Sequence, residues 1–133
     1  ARLIQISQFE DADKPSLYDA FDVFALPSIG ESFGLAYLEA WLCKKPVIGA
    51  RISSTQCVIN EGVDGLLVDH IRPDQLAERI MDLLSDRGKA EKMGIAGYNK
   101  TIRQYTWKAL IDQLEALYRE ASELPGVKRV PST

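Results

Sequence analysis

The sequence lacks a surplus of either charge: sixteen basic against nineteen acidic side chains leave a formal net charge of -3. A chain so balanced makes no electrostatic case for nucleic acid or an anionic membrane surface as a partner. No apolar run approaches the roughly twenty residues that a membrane-crossing helix needs, and the first residues lack the pattern of a signal peptide. Histidine occurs once, at His70, and cysteine twice, at Cys43 and Cys57, without metal-ligand spacing. No metal is expected. The cysteines read as reduced packing residues of a cytoplasmic protein, with a disulfide as the alternative.

What is present is an ordinary globular composition, 46% hydrophobic and 26% charged over 133 residues. That length fits one domain, assigned to residues 1–123. Residues 124–133, with two prolines and a basic pair, read as a frayed tail. Short apolar runs at Leu3–Ile6, Asp22–Leu26, Pro46–Ala50 and Leu66–Val68 alternate with helical patterns, which predicts a parallel, doubly wound, Rossmann-like α/β sheet. Asp11-Ala-Asp13 is nominally an Asp-x-Asp pair, but Asp13 stands before Pro15, where a helix N-cap is expected. Leu17, Tyr18, Ala20 and Phe21 then form one side of a short helix. A further short helix is expected over 55–60 and longer ones from Pro73 and over 87–103. Leu76, Ile80, Leu83 and Leu84 mark the apolar face of the helix from Pro73. Thr106 caps a last helix whose Leu110, Ile111, Leu114, Leu117 and Tyr118 form a stripe suited to core packing.

The stretch Ser28–Glu39 organises the rest. It follows the strand pattern ending at Pro27 and opens a buried helix over 34–43. The unpaired amides and positive dipole end of such a helix favour an anion. Glu39 is the lone charge in that apolar segment, and a buried carboxylate needs a partner. If the helical rise applied throughout, Glu31 would lie on the order of 12 Å away, near the same face. That separation suits a nucleotide-sugar, with ribose at Glu39 and the sugar at Glu31. From spacing alone a plainer reading stands beside it, in which acidic residues favour the dipole or point to water. Arg51, at the end of a strand, either faces a diphosphate or is a solvated rim residue. His70 reads as polar surface and not as a general base.

The passage Pro27-Ser28, Glu31, Phe33-Gly34-Leu35, Leu38-Glu39-Ala40 and Lys45-Pro46-Val47-Ile48 resembles the donor-binding signature of retaining GT-B glycosyltransferases of the group 1 family (family 4-like). The resemblance extends through the turn at Glu61–Gly65 and Tyr105-Thr106-Trp107. It implies two donor-binding glutamates with seven residues between them. On this chain that makes Glu31 the catalytic-site contact to the transferred sugar and Glu39 the contact to the ribose. It implies that amides of Phe33, Gly34 and Leu35 face sugar and phosphates, with Ser53 and Ser54 as further phosphate contacts in place of a glycine-rich loop. No metal or other cofactor is implied beyond the nucleotide-diphospho-sugar substrate. Lys44 stands where relatives carry glycine at a left-handed helix end.

Mapped onto the family, the chain corresponds to the later part of the donor domain. The opening strands, a basic pair that neutralises the diphosphate, and the N-terminal acceptor domain are expected elsewhere. Leu3–Ile6 is then expected to move into the place beside the strand near Asp22, or another chain covers that edge. The resemblance implies transfer of a sugar to an undetermined acceptor, with weak nucleotide binding and no turnover by the isolated chain. A non-catalytic binding or assembly module, and a nucleotide-sugar epimerase, are the alternatives.

Overall fold

The computed structural model describes residues 3–123. After a 3-10 turn at Asp11–Asp13 come α1 (Lys14–Asp19), β1 (Phe24–Leu26), α2 (Leu35–Leu42), β2 (Val47–Ala50), α3 (Ser53–Val58) and β3 (Gly65–Val68). Three helices follow: α4 (Pro73–Ser85), α5 (Arg87–Gln104) and α6 (Trp107–Glu123). The strands form one parallel sheet in the order β1-β2-β3, with Phe24 opposite Val47 and Ile48 opposite Leu66. Every residue of β2 and β3 is buried, as expected of a parallel sheet covered on both faces.

Alternation along the strands divides the core in two. Val47 and Leu67 join Tyr37, Leu38 and Trp41 of α2, with Val58 and Ile59. Ile48, Leu66 and Val68 point the other way, onto Leu83 of α4 and Met93 of α5. Helices thus cover both faces, which is the doubly wound α/β arrangement. The contact between α2 and α5 is close because Gly97 has no side chain; a Cβ there would lie 2.0 Å from Trp41 Cδ1. Beneath it lies a buried polar knot. Lys100 Nζ donates to Asp64 Oδ2 and to Val58 O, both at 2.5 Å, and sits 4.4 Å from the Trp41 ring centroid. Trp41 Nε1 donates to Asp64 O at 2.8 Å, and Asn60 N donates to Asp64 Oδ1 at 2.8 Å.

Several expectations need correction. Residues 3–10 have no regular secondary structure, and Leu3 is 91% exposed, so Leu3–Ile6 is not a strand beside β1. β1 has three residues and pairs with β2 alone. Among the described residues β1 is therefore an edge strand. Asp13 does not cap α1; its carboxylate accepts instead from Glu10 N, closing the 3-10 turn. The helix expected over 55–60 spans 53–58. The stripe on α6 is not core: no residue of α6 is buried. Thr106 does cap that helix, its Oγ1 accepting from Ala109 N at 3.2 Å. Lys44 holds the left-handed end of α2 at φ 55° despite its side chain. The tail assigned to 124–133 lies outside the described residues.

Candidate functional site

The turn after β1 is built around Gly34. Its φ of 86° is left-handed, and a Cβ there would fall 2.4 Å from Tyr37 Cδ2, so only glycine lets α2 begin at Leu35. Tyr37 fixes the turn from below by donating its hydroxyl to Leu26 O at 2.6 Å. Glu31 folds into the same turn: its Oε1 accepts from Gly34 N at 3.1 Å, and its carbonyl accepts from Ser54 Oγ at 2.6 Å. Glu31, Gly34 and Ser54 are thus brought together where β1 and β2 end, the side of a parallel sheet at which ligands bind. Ser53 and Ser54 are the first residues of α3 and not a loop. Phe33 is half-exposed with its ring edge-on to Tyr105 at 5.7 Å, and Leu35 is exposed.

Glu39 lies about one turn into α2. Its Oε2 accepts from Tyr18 OH at 2.9 Å and its Oε1 from Lys14 Nζ at 3.4 Å; Lys14 also pairs with Asp11 at 2.9 Å. Burial, and then the Glu39 carboxylate, push the Tyr18 phenol above its ordinary range. The hydrogen bond to Asp11, and then the one to Glu39, raise Lys14. Glu39 walls a cavity of about 320 Å³ with Phe9, Phe21, Phe24, Leu17 and Ile6, and a second of about 330 Å³ with Asp11, Pro15, Leu42 and Cys43. Neither cavity reaches Glu31. α2 starts only at Leu35, so the spacing from Glu31 to Glu39 is not helical throughout.

Arg51 lies exposed at the rim, paired with two carboxylates. Nη1 and Nη2 grip Glu61 at 2.6 and 2.7 Å, and Nε lies 3.5 Å from Asp69. The hydrogen bond to Glu61 raises Arg51, and the same bond holds Glu61 below its usual range. The guanidinium faces these two carboxylates. His70 is exposed in the turn before α4. Cys43 and Cys57 are free thiols, and Cys57 is exposed, so it is not a packing residue. Among the described residues no cluster of His, Cys, Asp or Glu could hold a metal ion, and no helix is long and apolar enough to cross a membrane. A cavity of about 450 Å³ between Asp22, Pro46, Lys44 and Arg87 opens at the N-terminal ends of β1 and β2, away from these residues.

Sequence reasoning missed Lys14 and Tyr18 as the partners of Glu39. The signal was present. A tyrosine on an apolar helix face needs an acceptor for its hydroxyl, and Glu39 was the lone carboxylate in the neighbouring helix.

A parallel sheet wound on both sides, with a left-handed glycine turn opening a helix that carries a held carboxylate, defines a Rossmann-like α/β unit. Residues 2–100 match the model of the family described as glycosyl transferases group 1, and the chain belongs to that family. It is 37% identical over 109 residues to the D-inositol 3-phosphate glycosyltransferase of Corynebacterium diphtheriae, covering 82% of this chain and 25% of that protein. The sucrose-phosphate synthase of Thermosynechococcus elongatus superposes with a TM-score of 0.78 at 30% identity, over 88% of this chain and 29% of that one. Anabaena HepE, solved in complex with UDP-glucose, superposes with a TM-score of 0.70 at 26% identity, over 84% and 30% of the two chains. The chain spans about a quarter of the length of the curated relatives it matches.

Proposed function

We propose that this chain forms the nucleotide-sugar-binding part of a retaining glycosyltransferase that works in the cytoplasm without a metal. The observation that carries the reading is the Glu39 carboxylate, held by Tyr18 and Lys14 on the wall of a cavity lined by aromatic side chains. An apolar slot with one placed carboxylate suits a nucleoside, whose base packs on rings and whose ribose hydroxyls donate to the carboxylate. The diphosphate would run toward the amides of Phe33, Gly34 and Leu35, with Ser53 and Ser54 beside them. The sugar would then lie at Glu31, whose carboxylate leaves the Gly34 amide to orient it. Family membership supports this reading, and so does the UDP-glucose held by HepE. The two free thiols suit a reducing compartment.

Calorimetry with UDP, GDP and ADP tests the reading. The chain should bind one of them more tightly than the others, and Glu39→Gln should weaken that binding on the order of tenfold. Equal binding by the variant would defeat the ribose assignment. A second reading, a binding or assembly module without turnover, is favoured by Arg51. This basic side chain just after β2 is paired with Glu61 and Asp69 and faces no anion-binding turn of its own. Transfer of sugar from a nucleotide-sugar by the chain alone would reject that second reading.

A further inference from the structure

Lys14 and Tyr18 leave α1 four positions apart, so both meet one carboxylate, that of Glu39 on α2. Local structure alone does not explain the pair. A cation in the first turn of a helix opposes the dipole, yet Lys14 sits there and is satisfied by Asp11 and Glu39. The Tyr18 ring packs among Phe21 and Phe24 at centroid distances of 5.8 and 5.5 Å, which fixes where its hydroxyl points. The two donors also divide the carboxylate between them: Lys14 addresses Oε1 and Tyr18 addresses Oε2.

That division has a chemical consequence. An ionised carboxylate offers about four acceptor sites, two on each oxygen. With one site on each oxygen taken, one on each remains free. Two free sites on adjacent oxygens match two hydroxyls on adjacent carbons; a single hydroxyl fills only half of them. The same three side chains also form the wall shared by the aromatic cavity and its neighbour, so a diol reaching Glu39 meets the carboxylate in the orientation they impose.

We propose that Tyr18 and Lys14 are positioning residues that set the Glu39 carboxylate for a vicinal diol, so that the trio, and not Glu39 alone, gives the site its preference for ribose over 2′-deoxyribose. The inference rests on the nucleotide-sugar reading above and deepens it. Neither residue touches reacting atoms.

Amide chemical-shift titrations of the chain with UDP and 2′-deoxy-UDP test it. The unchanged chain should prefer UDP on the order of tenfold, the worth of one hydrogen bond to a charged acceptor. Tyr18→Phe should cut that preference to about threefold or less while 2′-deoxy-UDP binds nearly as before. Glu39→Gln should abolish the preference, and adding Tyr18→Phe to it should change nothing further. Lys14→Met, at a half-exposed site, provides a second variant with the same expected loss should Tyr18→Phe fold poorly. Retention of the full preference by both single variants would overturn the positioning role. So would an equal weakening of both nucleotides, which is the mark of a purely structural contact. A chain that binds no UDP, or whose preference survives Glu39→Gln, would overturn the nucleotide-sugar reading as well.

Discussion

Replacing Asp64 by alanine should cost more stability than any other single polar change in the described chain. Asp64 is 1% exposed and Lys100 7% exposed, and the carboxylate accepts from both Lys100 Nζ and Asn60 N. Without it the ammonium keeps only Val58 O and the face of Trp41 as partners, in surroundings that already push it below the ordinary lysine range. Breaking a buried pair by removing one partner costs about 3–5 kcal/mol, because the other charge is stranded. Removing both charges is a different perturbation: Asp64→Asn with Lys100→Met keeps the volume, leaves an amide for Asn60, and should recover most of the loss. Urea unfolding of the single and double variants measures this directly. A loss below about 1 kcal/mol for Asp64→Ala, or a double variant as unstable as the single, would refute the argument that the pair is tightly coupled.

Gly34→Ala should destabilise by about 1–3 kcal/mol, since the backbone is left-handed and the new methyl meets the Tyr37 ring; thermal unfolding reads this out. Leu117→Ser should change stability by no more than about 0.5 kcal/mol, because α6 buries none of its residues; a larger loss would mean that its stripe is covered in solution. Arg51 lowers Glu61 from its ordinary 4.5, so the stability from that pair is present above about pH 4.5 and is lost as pH falls through the lowered value. In Arg51→Gln the carbon-detected titration of Glu61 should move back up toward 4.5, and the acid side of the stability profile should flatten.

The parts legible in the sequence are those written in local pattern. Val47–Ala50 and Gly65–Val68 are continuous apolar runs, and both are buried strands. Thr106 before an amphipathic run is a cap, and it caps. Leu3–Ile6 failed because an apolar run specifies a strand only where a neighbour pairs with it. The α6 stripe failed likewise, since periodicity reveals an apolar face but not what covers it. Glu31, Gly34 and Glu39 stand out in the sequence by their setting around one turn. The helical spacing from Glu31 to Glu39 does not hold throughout, because the left-handed Gly34 precedes α2. Asp64 and Lys100 are 36 positions apart and follow no period, so only the folded chain brings them together.

Mapping UDP onto the chain by amide and side-chain chemical shifts tests the central claim most directly. The account predicts perturbations at Tyr18, Phe24 and Glu39 and along the turn from Glu31 to Leu35, with those at Glu39 reduced when 2′-deoxy-UDP replaces UDP. Shifts confined to the cavity between Asp22, Lys44 and Arg87, with Glu39 silent, would contradict it.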